Sequence, residues 1–96
     1  MDEHLYIVSY DISGDRRWRR VFRVMNGYGE WLQLSLFQCR MSVRRRAELI
    51  HLVDGIINHA EDHVVFLDLG PADRVVARVT SLGKTFTPVT REPVIV

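Results

Sequence analysis

The hydrophobic pattern begins with a short block, Leu5 to Tyr10, that is rich in β-forming side chains and apolar on both parities. A strand of that kind is expected at the centre of a sheet, with both of its faces covered. The period then changes. From Asp15 to Asn26 the bulky residues Trp18, Val21, Phe22 and Met25 recur at i, i+3, i+4 and i+7, which places them on one stripe of an α-helix. Gly27 follows where a left-handed cap would close that helix. Alternation returns from Trp31 to Cys39, with Leu32, Leu34 and Leu36 on one side of a second strand and Gln33, Ser35 and Phe37 on the other. The leucine side is expected to meet helices. The side carrying Gln33, Ser35 and Phe37 is neither plainly solvated nor plainly core, and it suits contact with another protein.

Ser42 is placed to cap a second helix, in which Leu49, Leu52, Val53 and Ile56 repeat the helical spacing. The polar stretch His59-Ala60-Glu61-Asp62 interrupts it. His63 to Leu69 reads as a third strand, Gly70-Pro71-Ala72-Asp73 as a turn, and Arg74 to Leu82 as a fourth strand. After Gly83, the stretch from Phe86 to Thr90 and the tail from Pro93 to Val96 are apolar, and their prolines exclude a central-strand position. Their expected use is as an edge strand exchanged onto a second subunit. Residues 1–96 are expected to form a single domain with a C-terminal extension from about residue 84.

Composition narrows this picture. Ninety-six residues with 47% hydrophobic content support one modest core and leave room for stabilisation by a partner. The formal charge is only +1, but Arg16, Arg17, Arg19, Arg20 and Arg23 form one cluster and Arg40, Arg44, Arg45 and Arg46 another. Of the 13 basic residues all but Lys84 are arginine, which favours planar, bidentate contacts to phosphate. With Cys39 as the only cysteine, an intrachain disulfide, a thiol redox pair and a cysteine zinc cluster are all excluded. No apolar run approaches the ~20 residues of a membrane span, and the acidic N-terminus is unlike a signal peptide. A soluble cytoplasmic protein is expected.

Few residues carry candidate chemistry. Asp11 ends the first strand just before the basic run that starts at Asp15. A lone aspartate there is, on its own, most simply a cap or turn residue. Its alternative use is to hold a divalent cation beside phosphate-seeking guanidinium groups. Magnesium is bound by one or two carboxylates plus waters and substrate phosphates, so two copies of Asp11 near a two-fold axis would make an adequate site. Asp15 is better placed to cap the first helix. Ser9 and Ser35 have no histidine at a recognisable spacing to serve as base, and His59 and His63 straddle a helix-to-strand junction rather than a helix face. Arg16, Arg17, Arg19 and Arg20 are the nucleic-acid candidates, with a plain solvated helix face as the alternative. Base-reading modules are absent, so a sequence-independent grip is expected.

Taken together, Tyr10-Asp11 at the end of the first strand and Gln33-x-Ser35-x-Phe37 in the second resemble the CRISPR-associated protein two family, the small subunit of the spacer-acquisition complex. Element order, chain length and the tail from Glu92 to Val96 fit as well. The resemblance implies an α+β ferredoxin-like sandwich, with an antiparallel sheet and two helices on one face. The elements read above run βαβαββ instead of the βαββαβ of that fold, so a bend between Phe37 and Val43 is expected to supply the extra strand. It further implies a homodimer with Gln33, Ser35 and Phe37 at its interface, and a magnesium-dependent endonuclease with Asp11 as catalytic residue and metal ligand. The implied partners are the CRISPR integrase subunit (CRISPR-associated protein one), duplex DNA and single-stranded RNA. A purely architectural DNA-binding subunit and a ferredoxin-like regulator of small ligands are the competing classes.

Overall fold

The computed structural model describes residues 2–83. Its elements are β1 (Glu3–Asp11), α1 (Asp15–Asn26), β2 (Glu30–Gln33), β3 (Leu36–Ser42), α2 (Val43–Asp54) and β4 (His63–Pro71). The strands form one four-stranded sheet in the order β2-β3-β1-β4, with every neighbouring pair antiparallel. This is the βαββαβ order of a ferredoxin-like unit. The extra strand arises earlier than the expected bend between Phe37 and Val43. The alternating stretch from Trp31 to Cys39 is not one strand but a hairpin, broken at Leu34 and Ser35, and residues 36–42 run straight.

The break has a physical basis. Leu34 takes a left-handed conformation, φ 38°, and is 72% exposed, so it turns the chain instead of joining a leucine face. Two indoles hold the turn: Trp31 Nε1 donates to the Leu34 carbonyl at 3.0 Å, and Trp18 Nε1 donates to Ser35 Oγ at 2.7 Å. The turn also resets parity. Phe37, Cys39 and Met41 face the helices, and the expectation that Leu32, Leu34 and Leu36 would do so fails.

Among the described residues both helices cover one face of the sheet. Tyr6, Val8 and Tyr10 from β1 and Phe37, Cys39 and Met41 from β3 pack beneath Val21 and Met25 of α1 and Leu49 and Val53 of α2. Phe37 has no exposed surface and meets Tyr10 at 6.3 Å and Phe22 at 5.6 Å between ring centroids. The helical stripe expected on α1 is thus confirmed, with Trp18 and Phe22 at its margin. Burial pushes the Cys39 thiol up to about 12, so it behaves as a small apolar side chain. Gly29 lies so close to the Cys39 strand that an added Cβ would collide with Cys39 Sγ and the Gln38 carbonyl oxygen. Ser42 caps α2 as expected, accepting from Arg45 N at 3.2 Å. Gly27 closes α1 with φ −82°, so the left-handed cap is not used.

The expected two-sided cover of the first strand holds only in part: among the described residues the opposite face is covered at one end only, where Leu5 is 1% exposed. In register across it lie Ile7 with Gln38 and Leu67, and Ser9 with Leu36 and Val65. Leu67 is 51% exposed. The fourth strand expected from Arg74 to Leu82 does not pair: β4 is already the sheet's last strand, and residues 74–83 make no ladder among the described residues. Its β-forming side chains Val76, Val79 and Leu82 are left exposed. The exchanged tail expected from residue 84 lies outside the described residues.

Candidate nucleic-acid and metal site

Side chains alternate along a strand, and the Tyr10-Asp11 pair is divided by that alternation. Tyr10 turns inward against Trp18 and Phe37. Its hydroxyl is buried without a hydrogen-bond partner among the described residues, and burial pushes the phenol well above its ordinary range. Tyr10 is therefore an anchor rather than a proton donor. Asp11 points to the open face. It is exposed, makes no side-chain hydrogen bond or ion pair among the described residues, and pairs in register with His63 of β4.

Immediately beyond Asp11, the loop to α1 is fastened by Asp62. This carboxylate has no exposed side-chain surface and accepts from Arg17 Nε at 2.7 Å, Asn58 N at 2.8 Å and Ser13 N at 3.2 Å. The Arg17 guanidinium, followed by the backbone N–H groups of Asn58 and Ser13, holds the Asp62 carboxyl well below the usual carboxylate range against the opposing effect of desolvation. Arg17 Nη2 also reaches Glu61 Oε1 at 3.2 Å. Arg17 was expected among the phosphate-binding arginines, but its charge is already met by the buried side chain of Asp62 and the exposed Glu61. It belongs to the clasp that sets the start of α1.

The other arginines of that run separate further. Asp15 does not cap α1: Gly14 holds the N-cap position, and Asp15 instead forms an i,i+4 ion pair with Arg19. Arg16, Arg20 and Arg23 are exposed and form no ion pair among the described residues. Arg20 and Arg23 line a groove with His51 and Leu52 of α2. The second cluster is largely engaged in packing. Arg45 sits 4.1 Å above the Tyr28 ring and donates to the Gly27 carbonyl at 3.2 Å, while Arg46 lies over Tyr6 and Phe66. Arg40 donates to the Ala72 carbonyl at 3.1 Å.

The expected interface triplet does not share a surface. Gln33 is exposed at the hairpin, Ser35 is partly buried and accepts from the Trp18 indole, and Phe37 lies in the core, where it cannot touch a second subunit. The turn at Leu34 and Ser35 separates them. Sequence reasoning missed the Asp62 clasp, the placement of His63 opposite Asp11 and the Ser35 bond to Trp18, because each depends on contacts between distant segments. The chain does carry their donors and acceptors, but no spacing rule marks the register.

Among the described residues no group of three or more histidine, cysteine, aspartate or glutamate side chains converges as a metal cage. An exposed, unpartnered Asp11 nevertheless fits magnesium, which keeps several waters and shares its remaining positions with substrate phosphates.

Fold and site together define a small ferredoxin-like α+β protein with a free carboxylate at the end of its first strand and a basic outer helix. The chain belongs to the family of CRISPR associated protein Cas2, whose family model matches residues 4–75. It is 58% identical over 94 residues to a Geobacter sulfurreducens protein named CRISPR-associated endoribonuclease Cas2, covering 98% of this chain and 99% of that one. A Rhodospirillum rubrum protein named CRISPR-associated endoribonuclease Cas2 1 is 48% identical, with 98% and 92% covered. Among solved structures, Streptococcus pyogenes Cas2 at pH 6.5 superposes with a TM-score of 0.71 and 29% identity, over 82% of this chain and 99% of that chain. A hypothetical protein from Thermus thermophilus gives a TM-score of 0.73 at 28% identity, over 90% of this chain and 98% of that chain.

Proposed function

We propose that the chain is a metal-dependent endonuclease that hydrolyses phosphodiester bonds as a two-fold dimer, and that it serves CRISPR adaptation beside the integrase subunit, CRISPR-associated protein one. The observation that carries the reading is Asp11 itself. It is an exposed carboxylate with no protein partner among the described residues, set on the sheet face away from the helices. Relatives named endoribonucleases make RNA the first substrate to try, with duplex DNA the second.

A second copy supplies what the open face lacks. Ile7, Leu36, Val65 and Leu67 offer apolar surface, and the unpaired β-forming residues 75–82 offer a strand for the free edge of a partner sheet. Asp11 from each copy would hold magnesium, which supplies a polarised phosphoryl oxygen and a more acidic water when bound. Arg16, Arg20 and Arg23 grip the sugar-phosphate backbone without reading bases.

An architectural reading is favoured by one observation. The free arginines belong to α1, on the covered side of the sheet, whereas Asp11 lies on the open side. A duplex held along the helices would leave Asp11 unused. The Asp11→Asn variant separates the two readings: magnesium-dependent cleavage of RNA and duplex DNA is expected to fall to background, with dimerisation and DNA binding kept. Cleavage at the parent rate in a preparation free of contaminating nuclease would overturn the catalytic role and leave the architectural one.

A further inference from the structure

Three aspartate and histidine couples occur among the described residues, and one of them differs from the other two. His4 Nδ1 lies 2.8 Å from Asp68, and His59 Nε2 lies 2.7 Å from Asp54, so each of these pairs is closed by a hydrogen bond. Asp11 and His63 stand directly opposite in the antiparallel pairing of β1 with β4, yet neither bonds to the other or to any other described side chain. Opposed residues of an antiparallel pair project from the same face with Cβ atoms roughly 4.5–5.5 Å apart. A carboxylate oxygen and an imidazole nitrogen at that separation can converge on one ion. Both residues are exposed, and the neighbouring acids are committed elsewhere, Asp62 and Glu61 to Arg17.

We propose that His63 is a second metal ligand beside Asp11, and that this couple takes first-row transition ions such as Mn2+ or Ni2+ in preference to Mg2+. The proposal rests on the reading of Asp11 as a metal ligand. Its basis is donor chemistry: imidazole nitrogen suits transition ions, whereas magnesium is served by carboxylate and water oxygen. In the two-fold dimer Asp11 and His63 from each copy supply four ligands, which leaves the remaining positions of a six-coordinate ion open to water and phosphate oxygens, as a hydrolytic site requires. His63 opens the edge strand β4, where an ion can approach from solvent.

The test uses untagged full-length protein and needs no turnover. Pulsed EPR of Mn2+ bound to the parent is expected to show coupling to an imidazole nitrogen, lost in His63→Ala and kept in His51→Ala. Calorimetric titration is expected to show Ni2+ binding weakened by about tenfold or more in His63→Ala, with Mg2+ binding changed less than about twofold. Absence of nitrogen coupling in the parent, or unchanged Ni2+ affinity in His63→Ala while Asp11→Ala loses the ion, overturns the role of His63 and leaves Asp11 standing. Parent-like metal binding in Asp11→Ala overturns both.

Discussion

The two faces of the sheet are built from similar strands and reach opposite ends. Beneath the helices, Val8, Phe37, Met25 and Val21 have no exposed surface, and aromatic rings interlock from Tyr10 to Trp31. On the other face Leu5 is buried but Ile7, Leu36, Val65 and Leu67 remain partly in water, and the carboxylate of Asp11 has no partner among the described residues. The difference teaches that the described residues pack fully on the helix side and only in part on the other. Most of the core within the described residues lies on the helix side, and the proposed association and chemistry fall on the other.

Substitutions on the two faces break or sharpen that contrast. The largest effect is expected at the core: Phe37→Ala should cost about 3–5 kcal/mol in urea unfolding, through reduced burial and the cavity left behind. On the open face, Leu67→Ala should cost only roughly 1 kcal/mol of monomer stability, because Leu67 is already half exposed. Leu67→Arg should instead weaken self-association by well over tenfold in sedimentation while the far-UV spectrum stays the same. A parent-like association constant would mean that the open face is not the dimer surface.

The clasp between the loop after Asp11 and the start of β4 sets a pH boundary. Asp62 has a folded-state pKa below its ordinary 3.8, so it stabilises the fold above that value, and the contribution is lost as pH falls through and below it. Asp62→Asn should lower the melting temperature at pH 7 and flatten the acid limb of the stability profile below about pH 4. An unchanged acid limb would show that the clasp does not hold in solution.

Smaller effects separate the arginines. Replacing Arg16, Arg20 and Arg23 by glutamine should reduce the salt slope of DNA binding by up to about 0.9 for each phosphate no longer neutralised, whereas Arg17→Gln should lower stability and leave the slope unchanged. The smallest change is expected at the hairpin. Leu34→Gly relieves a left-handed conformation costing roughly 1–2 kcal/mol but adds backbone freedom to the unfolded chain, for a net gain within about 1 kcal/mol.

How far the sequence foretells this molecule depends on the range of each interaction. The stripe of Trp18, Val21, Phe22 and Met25 and the Ser42 cap are local, and both are legible from spacing. The resemblance carried by Tyr10, Asp11, Gln33, Ser35 and Phe37 leads to the right family although two of them, Ser35 and Phe37, have other uses than expected. What spacing cannot reveal is parity across a turn. Leu34 is an ordinary residue in an alternating run, and only its backbone conformation moves Phe37 from a supposed surface to the centre of the core. Arg17 fails for a related reason: its partner, Asp62, is brought to it by the pairing of β1 with β4.

The hairpin turn has an optical consequence. Both tryptophans of the chain donate their indole N–H to it, Trp18 to Ser35 and Trp31 to the Leu34 carbonyl, and the Ser35 carbonyl accepts from the backbone of Tyr10, next to Asp11. Intrinsic fluorescence is therefore a label-free gauge of this one corner. An ion or nucleic acid that disturbs the Asp11 end of the first strand can register as a shift in emission without any dye, and single replacement of either indole by phenylalanine would assign the signal.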